Sequence, residues 1–69
     1  MTTFNYYSDG KCIDALHGHI SVARFDIVDS GLYRSTFRLK LTMNLTTLSD
    51  NDIARISLAA ARWHRQQLS

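Results

Sequence analysis

Up to residue 43 the apolar side chains alternate with polar ones; from residue 48 they recur every third or fourth position. The first spacing belongs to half-buried strands and the second to a helix with one buried stripe. The chain therefore reads as α+β: a three- or four-stranded antiparallel meander over about residues 3–43, then one C-terminal helix over about 50–67 packed on one face of the sheet (βββα or ββββα).

The helix has clear ends. Ser49 is placed to cap it, with its hydroxyl accepting from the free N–H groups of the first turn. Asp52, three residues on, is expected to reach back to the cap's own N–H as a short-armed capping box, and Leu48 and Ile53 have the spacing of a hydrophobic staple. Asp50 and Asp52 put negative charge at the start, while Arg62, His64 and Arg65 are expected to put positive charge near the end. Ala59, Ala60 and Ala61 favour the helix intrinsically. Ile53, Ile56, Ala60 and Trp63 share the stripe expected to be buried. Arg55, Arg62 and Arg65, with Leu58 among them, lie on the other side. They are a solvated face on the plain reading and a phosphate-contacting or second partner face on the sharper one.

The first strands are joined by Asp9 and Gly10, a two-residue hairpin signal. Pairing Ser8 with Lys11 sets Tyr6 opposite Ile13 and Phe4 opposite Ala15. One face then holds Phe4, Tyr6, Ile13 and Ala15, and the other Asn5, Tyr7, Cys12 and Asp14. Gly18, between His17 and His19, marks a bend. The next strand runs from Ile20 to Val28 and the last from Leu32 to Met43, flanking Asp29, Ser30 and Gly31. A three-residue loop there pairs odd positions with odd: Ile27 with Tyr33, Phe25 with Ser35, Ala23 with Phe37. Leu39, Leu41 and Met43 extend that apolar face. The opposite face carries Arg34, Thr36, Arg38, Lys40 and Thr42, with Arg24 and Asp26 on the neighbouring strand and Asp26 expected across from Arg34.

Sixty-nine residues make a single small domain, 1–69. A chain of this size buries a modest core, and its one cysteine forms no internal disulfide, so self-association is a natural aid to stability. Eight basic residues against six acidic give a net charge of +2, well short of the usual nucleic-acid module. Six of the eight are arginine, the bidentate partner of carboxylate and phosphate. The N-terminal residues lack the basic and apolar segments of a leader, and no apolar run reaches membrane length. The expected location is cytoplasmic, with the thiol reduced.

Candidate chemistry is sparse. Cys12, His17 and His19, with His64 within conceivable reach, do not match the spacing of structural zinc sites, and no metal or cofactor is expected. No motif activates Cys12 as a nucleophile, and no phosphate loop or nucleophile elbow is present. The chain is expected not to be an enzyme. Residues 48–54, continued by Ala59 and Ala60, are similar to the third helix of the small Hha-type modulators of nucleoid proteins. That family is all-helical, whereas the rest of this chain is β-patterned, so no function is carried over. Strands followed by one C-terminal helix also resemble the arm-type DNA-binding domains of tyrosine recombinases, in which the sheet enters the major groove; this likeness is one of fold alone.

The expected function is therefore that of a small protein-interaction module, a regulator or inhibitor docking on a larger protein through a basic and apolar sheet face. Arg24, Arg34, Arg38 and Lys40 are its expected contacts, with Tyr7 and Val22 beside them. The alternative is nucleic-acid binding, with the same arginines or Arg55, Arg62 and Arg65 on phosphates. A homodimer through the open sheet face is a further expectation.

Overall fold

The computed structural model describes residues 2–29 and 37–68. Four strands, β1 (Thr2–Tyr7), β2 (Cys12–His17), β3 (Ile20–Asp29) and β4 (Phe37–Asn44), precede one helix, α1 (Asp50–Leu68). The strands form an antiparallel sheet in the order β1-β2-β3-β4, and the helix packs on one face. This is the four-stranded form of the expected meander.

The β1–β2 hairpin has the register that alternation demands, with Tyr6 paired to Ile13 and Phe4 to Ala15. Ser8, Asp9 and Gly10 all take positive φ, 58°, 57° and 84°, and the Lys11 N–H donates to the Ser8 carbonyl at 3.2 Å. Left-handed residues at the two central positions, Asp9 and Gly10, match the turn to the twist of the strands, which is why an Asp followed by Gly serves there.

The β2–β3 connection resolves a conflict. His17 pairs with Ile20 across a two-residue turn, where Gly18 has φ 66°. Continued unbroken, that pairing would set apolar Ile13 across from Arg24. The register instead shifts after Leu16: Leu16 pairs with Ser21 but Ala15 with Ala23, leaving Val22 as an additional residue. This bulge restores odd-with-odd pairing, so Ile13, Ala15, Ala23 and Phe25 share one face. All four are buried.

Between β3 and β4 the faces are as expected but the offset is not. Ile27 pairs with Leu39 rather than Tyr33, Phe25 with Leu41 rather than Ser35, and Ala23 with Asn44 rather than Phe37. Asp26 lies across from Lys40, not Arg34. As far as Phe25 and Leu41 the displacement is even, and an even slip leaves each side chain on its face, so alternation alone does not distinguish the two registers; beyond them a bulge makes it odd. The expected loop and Arg34 lie outside the described residues. Met43 is a second correction. The register shifts between Phe25 and Arg24, with Thr42 as the additional residue, so Met43 pairs with Arg24 and joins the charged face rather than the apolar one.

The helix starts where its cap chemistry places it. The Ile53 N–H donates to the Ser49 carbonyl at 2.9 Å, and the Ser49 hydroxyl oxygen accepts from the Asp52 N–H at 3.3 Å. Asp52 does not reach the cap's backbone. Its carboxylate accepts the Ser49 hydroxyl proton at 3.0 Å, as fits an arm one methylene shorter than that of the glutamate in a full capping box. Asn44 fixes the approach to the helix: its side-chain amide donates to the Leu48 carbonyl (3.3 Å) and its oxygen accepts from the Leu48 N–H (3.1 Å). Ser49→Ala is expected to cost about 0.5–2 kcal/mol. On a domain of this size that lowers the thermal midpoint by roughly 4–8 °C per kcal/mol, which thermal circular dichroism reads directly.

The core is formed by Ile13, Ala15, Ala23 and Phe25 from the two central strands and Ala60 from the helix, flanked by Phe4, Val22, Ile27, Leu39, Leu48, Ile53, Ile56 and Trp63. Alanine at three of these positions lets the helix backbone approach the sheet closely. Trp63 lies over β1, with ring centres 5.9 Å from Phe4 and 4.7 Å from Tyr6. His64 is the correction in this element. Expected as a charge at the helix end, it is only 8 % exposed and packs into the sheet.

Candidate functional site

The sheet face away from the helix is more self-contained than its composition implies. The strand registers set Asp14 beside Arg24, Cys12 beside Asp26, and Asp26 beside Lys40. Arg24 Nε donates to Asp14 Oδ1 at 2.6 Å, and a second guanidinium nitrogen to Asp14 Oδ2 at 3.4 Å. The guanidinium carbon lies 3.8 Å from the centre of the Tyr7 ring, and a third nitrogen contacts Met43 Sδ at 3.5 Å. The ion pair and the cation–π stack both hold the guanidinium between neighbouring strands. Arg24, expected as a partner contact, is thus engaged within the sheet on several sides. Tyr7 remains half-exposed, with one ring face covered by Arg24. Val22, displaced by the bulge, packs against the core instead of joining the charged face.

Cys12 is held in its protonated form. Its thiol donates to Asp26 Oδ1 at 2.9 Å, and its pKa is raised, first by that hydrogen bond and then by burial. A nucleophilic cysteine needs the opposite environment. Alkylation of Cys12 by iodoacetamide near neutral pH is expected to be slow, and Asp26→Asn should make it severalfold faster by removing the carboxylate that stabilises the thiol; mass spectrometry of the labelled chain measures both rates.

Cys12 and His17 begin and end β2, which separates them by about 17 Å of extended chain. Among the described residues no three His, Cys, Asp or Glu side chains are grouped to hold a metal ion. His64 points elsewhere: its Nδ1 lies 2.6 Å from the Tyr6 hydroxyl, and its ring packs edge-on against Tyr6 and Phe37, with centres 5.6 and 4.6 Å away. Burial pushes the imidazole pKa down and the phenol pKa up. Both groups are neutral at neutral pH, so a single proton lies between them: the phenol donates to Nδ1 in the tautomer with its proton on Nε2, and accepts from Nδ1 in the other. The pair ties the helix to β1, and Phe37 extends the contact to β4.

The exposed part of the expected surface is the β4 margin. Arg38 and Lys40 are exposed, and Leu41, Met43 and Leu45 show 36 %, 40 % and 46 % of their surface. Phe25, directly across from Leu41, shows 1 %. Val28, Arg38, Leu39 and Lys40 line a shallow hollow. On the helix, Arg55, Arg62 and Arg65 are all exposed. Arg55 borders a groove with Thr2, His17, Val22, Leu48, Asp52 and Ile56, and Arg65 lies 5.4 Å from the Phe37 ring centre.

Two partners on the charged face were missed from sequence, Asp14 for Arg24 and Asp26 for Cys12. The signal was present, since Ile13, Ala15, Ala23 and Phe25 all fall on odd positions and only odd-with-odd pairing buries them together. That pairing sets Asp14 beside Arg24. The half-exposed Leu41 and Leu45 had no such signal, because where one helix lies across a sheet is a packing outcome.

No described helix is long and apolar enough to cross a membrane. Compared with family models, curated proteins and solved structures, the chain matches none.

Proposed function

We propose that this chain is a non-enzymatic protein-interaction module, of the regulator or inhibitor kind, that docks on a larger protein through the basic and half-apolar margin of its sheet. The observation that carries the reading is the β4 margin, where Leu41, Met43 and Leu45 stand partly exposed beside Arg38 and Lys40. Interfaces favour such a mixture of apolar area and cations that take bidentate or steering contacts. The internal pairing of Arg24 moves the proposed contact away from the sheet centre, to Arg38 and Lys40. The protonated Cys12 thiol supports the non-enzymatic part of the reading. A cytoplasmic setting, with that thiol reduced, belongs to the same proposal.

The test is capture of a partner from host lysate by tagged protein, with and without nuclease, comparing the parent chain with Arg38→Glu/Lys40→Glu. Loss of rim charges should weaken capture about tenfold or more, equivalent to roughly 1.4 kcal/mol, while circular dichroism shows the fold retained. Capture unchanged by the double reversal would overturn the assignment of this margin.

Nucleic-acid binding is the second reading, favoured by the exposure of Arg55, Arg62 and Arg65 on the outer side of the helix. Recovery that collapses on nuclease treatment would support it. Each phosphate contact removed by mutation should then reduce the salt slope by about 0.9 on duplex DNA.

A further inference from the structure

We infer that β4 is a docking edge for an extended peptide segment whose side chains alternate acidic and apolar, taken up by strand addition. The inference rests on the docking reading above and specifies its partner. β4 is the last strand of the sheet order and eight residues long. An edge strand presents a row of main-chain N–H and C=O groups, which an extended segment can pair, and its alternating side chains then read the incoming strand on both faces.

The two faces of β4 ask for different residues. On the helix side, Leu39 and Leu41 are incompletely covered, so a neighbouring strand would best place apolar side chains there. On the other side stand Arg38 and Lys40. Lys40 has Asp26 across from it, but among the described residues the two form no ion pair; Arg38 has Val28 across from it. Acidic side chains arriving on that side supply the missing charge. Together the faces specify an alternation of acid and aliphatic.

The other edge does not make this offer. β1 shows Thr3, Asn5 and Tyr7 on its outer face, with no charge among them, and its inner Phe4 and Tyr6 are packed by Trp63. A second copy of the chain is also a poor occupant of β4. Antiparallel pairing of β4 with itself would bring Arg38 and Lys40 of both copies side by side on one face, and like charges so placed are destabilising. Cations on an edge commonly guard it against self-pairing. Here the same two residues exclude a copy and select an acidic strand.

The test uses acetylated, amidated eight-residue peptides alternating Glu with Val, the same peptides with Lys for Glu, and Glu–Val peptides N-methylated at alternate amides, titrated into the full chain by ¹H–¹⁵N spectroscopy. The expected result is a shift of amides along residues 37–44 by the Glu–Val peptide, with slowed exchange of the outward amides. The Lys peptide should bind about tenfold more weakly or worse, and Arg38→Glu/Lys40→Glu should reverse that preference. The peptide N-methylated on its pairing edge should lose binding.

No response to the Glu–Val peptide at about millimolar concentration, the weak end of specific recognition, overturns the inference. Undiminished binding of both N-methylated forms also overturns strand addition, while leaving docking by side chains in place. A free protein that sediments as a dimer, and becomes monomeric in Arg38→Glu/Lys40→Glu or on peptide addition, would make a second copy the occupant. Failure of the broader reading is separate: it appears as lysate capture that ignores the charge reversal.

Discussion

Phe25→Ala is expected to remove most of the stability of this domain. Among the described residues Phe25 is the largest fully buried side chain, set between Ile13 on one side and Leu41 on the other. Truncating a buried phenylalanine costs about 3–5 kcal/mol, from lost transfer energy and from the cavity that remains. A domain of this length has only about 3–10 kcal/mol in total, at roughly 0.05–0.15 kcal/mol per residue. Between a third and all of the folding free energy is therefore at stake in one side chain. Urea titration followed by Trp63 fluorescence measures the loss. Leu41→Ala is the control, since Leu41 is partly exposed and truncation there should cost clearly less. Equal effects at the two positions would contradict the placement of the core on β2 and β3.

Tyr6→Phe is expected to cost about 1–3 kcal/mol, because it leaves His64 Nδ1 buried without its hydrogen-bond partner. The same pair makes stability depend on pH. The folded pKa of His64 lies below its ordinary value of 6.5, from burial. The unfolded chain takes up that proton more readily, so acid favours unfolding. This contribution is complete above the ordinary value. It declines as pH falls through 6.5, and levels off once the pH is below the depressed folded pKa. Urea midpoints from about pH 8 to about pH 5 should fall in the parent protein, and the fall should be smaller in His64→Leu, which has nothing to protonate at that position. The raised Tyr6 pKa has the opposite sign of dependence, with stability lost as pH rises past the phenol's ordinary value of 10. A midpoint that does not respond to His64→Leu in the acid window would mean that the imidazole is not held neutral in the fold.

His64 also shows where the chain was hard to read. Helical spacing assigned Ile53, Ile56, Ala60 and Trp63 to the buried side, and all four pack against or within the core. His64 lies one position beyond Trp63 and four beyond Ala60, so it falls on the same stripe. Its chemistry suggested a charge at the helix end; its position made it part of the core. Once buried, desolvation disfavours the charged form, and a phenol from β1 satisfies the neutral one. The position was legible in the spacing, but the phenol depended on how the helix lies over the sheet.

The charged face divides in the same way. Arg24, Asp26 and Lys40 were placed on it by alternation, and they lie there. Which of them meet was decided by two bulges, one adding Val22 and one adding Thr42. A bulge changes the partners of every residue beyond it while using ordinary side chains, so it leaves little trace in local composition. The consequence for function is direct. Arg24 is engaged by Asp14 and Tyr7, Val22 turns to the core, and the open cations shift to β4.

By itself the sequence determined the α+β class, the β1–β2 hairpin with its register, the helix with its cap, and the face on which most strand residues fall. These follow from interactions among near neighbours: a turn that needs two left-handed residues, a cap that needs a hydroxyl, and alternation that sorts side chains wherever the strand lies. Only the tertiary structure decided the offset between β3 and β4, the two bulges, the burial of His64 against Tyr6, and the exposure of the β4 margin. Each depends on which distant residues meet. Even slips of a strand, and small shifts of a helix across a sheet, preserve the local pattern while changing every long-range neighbour.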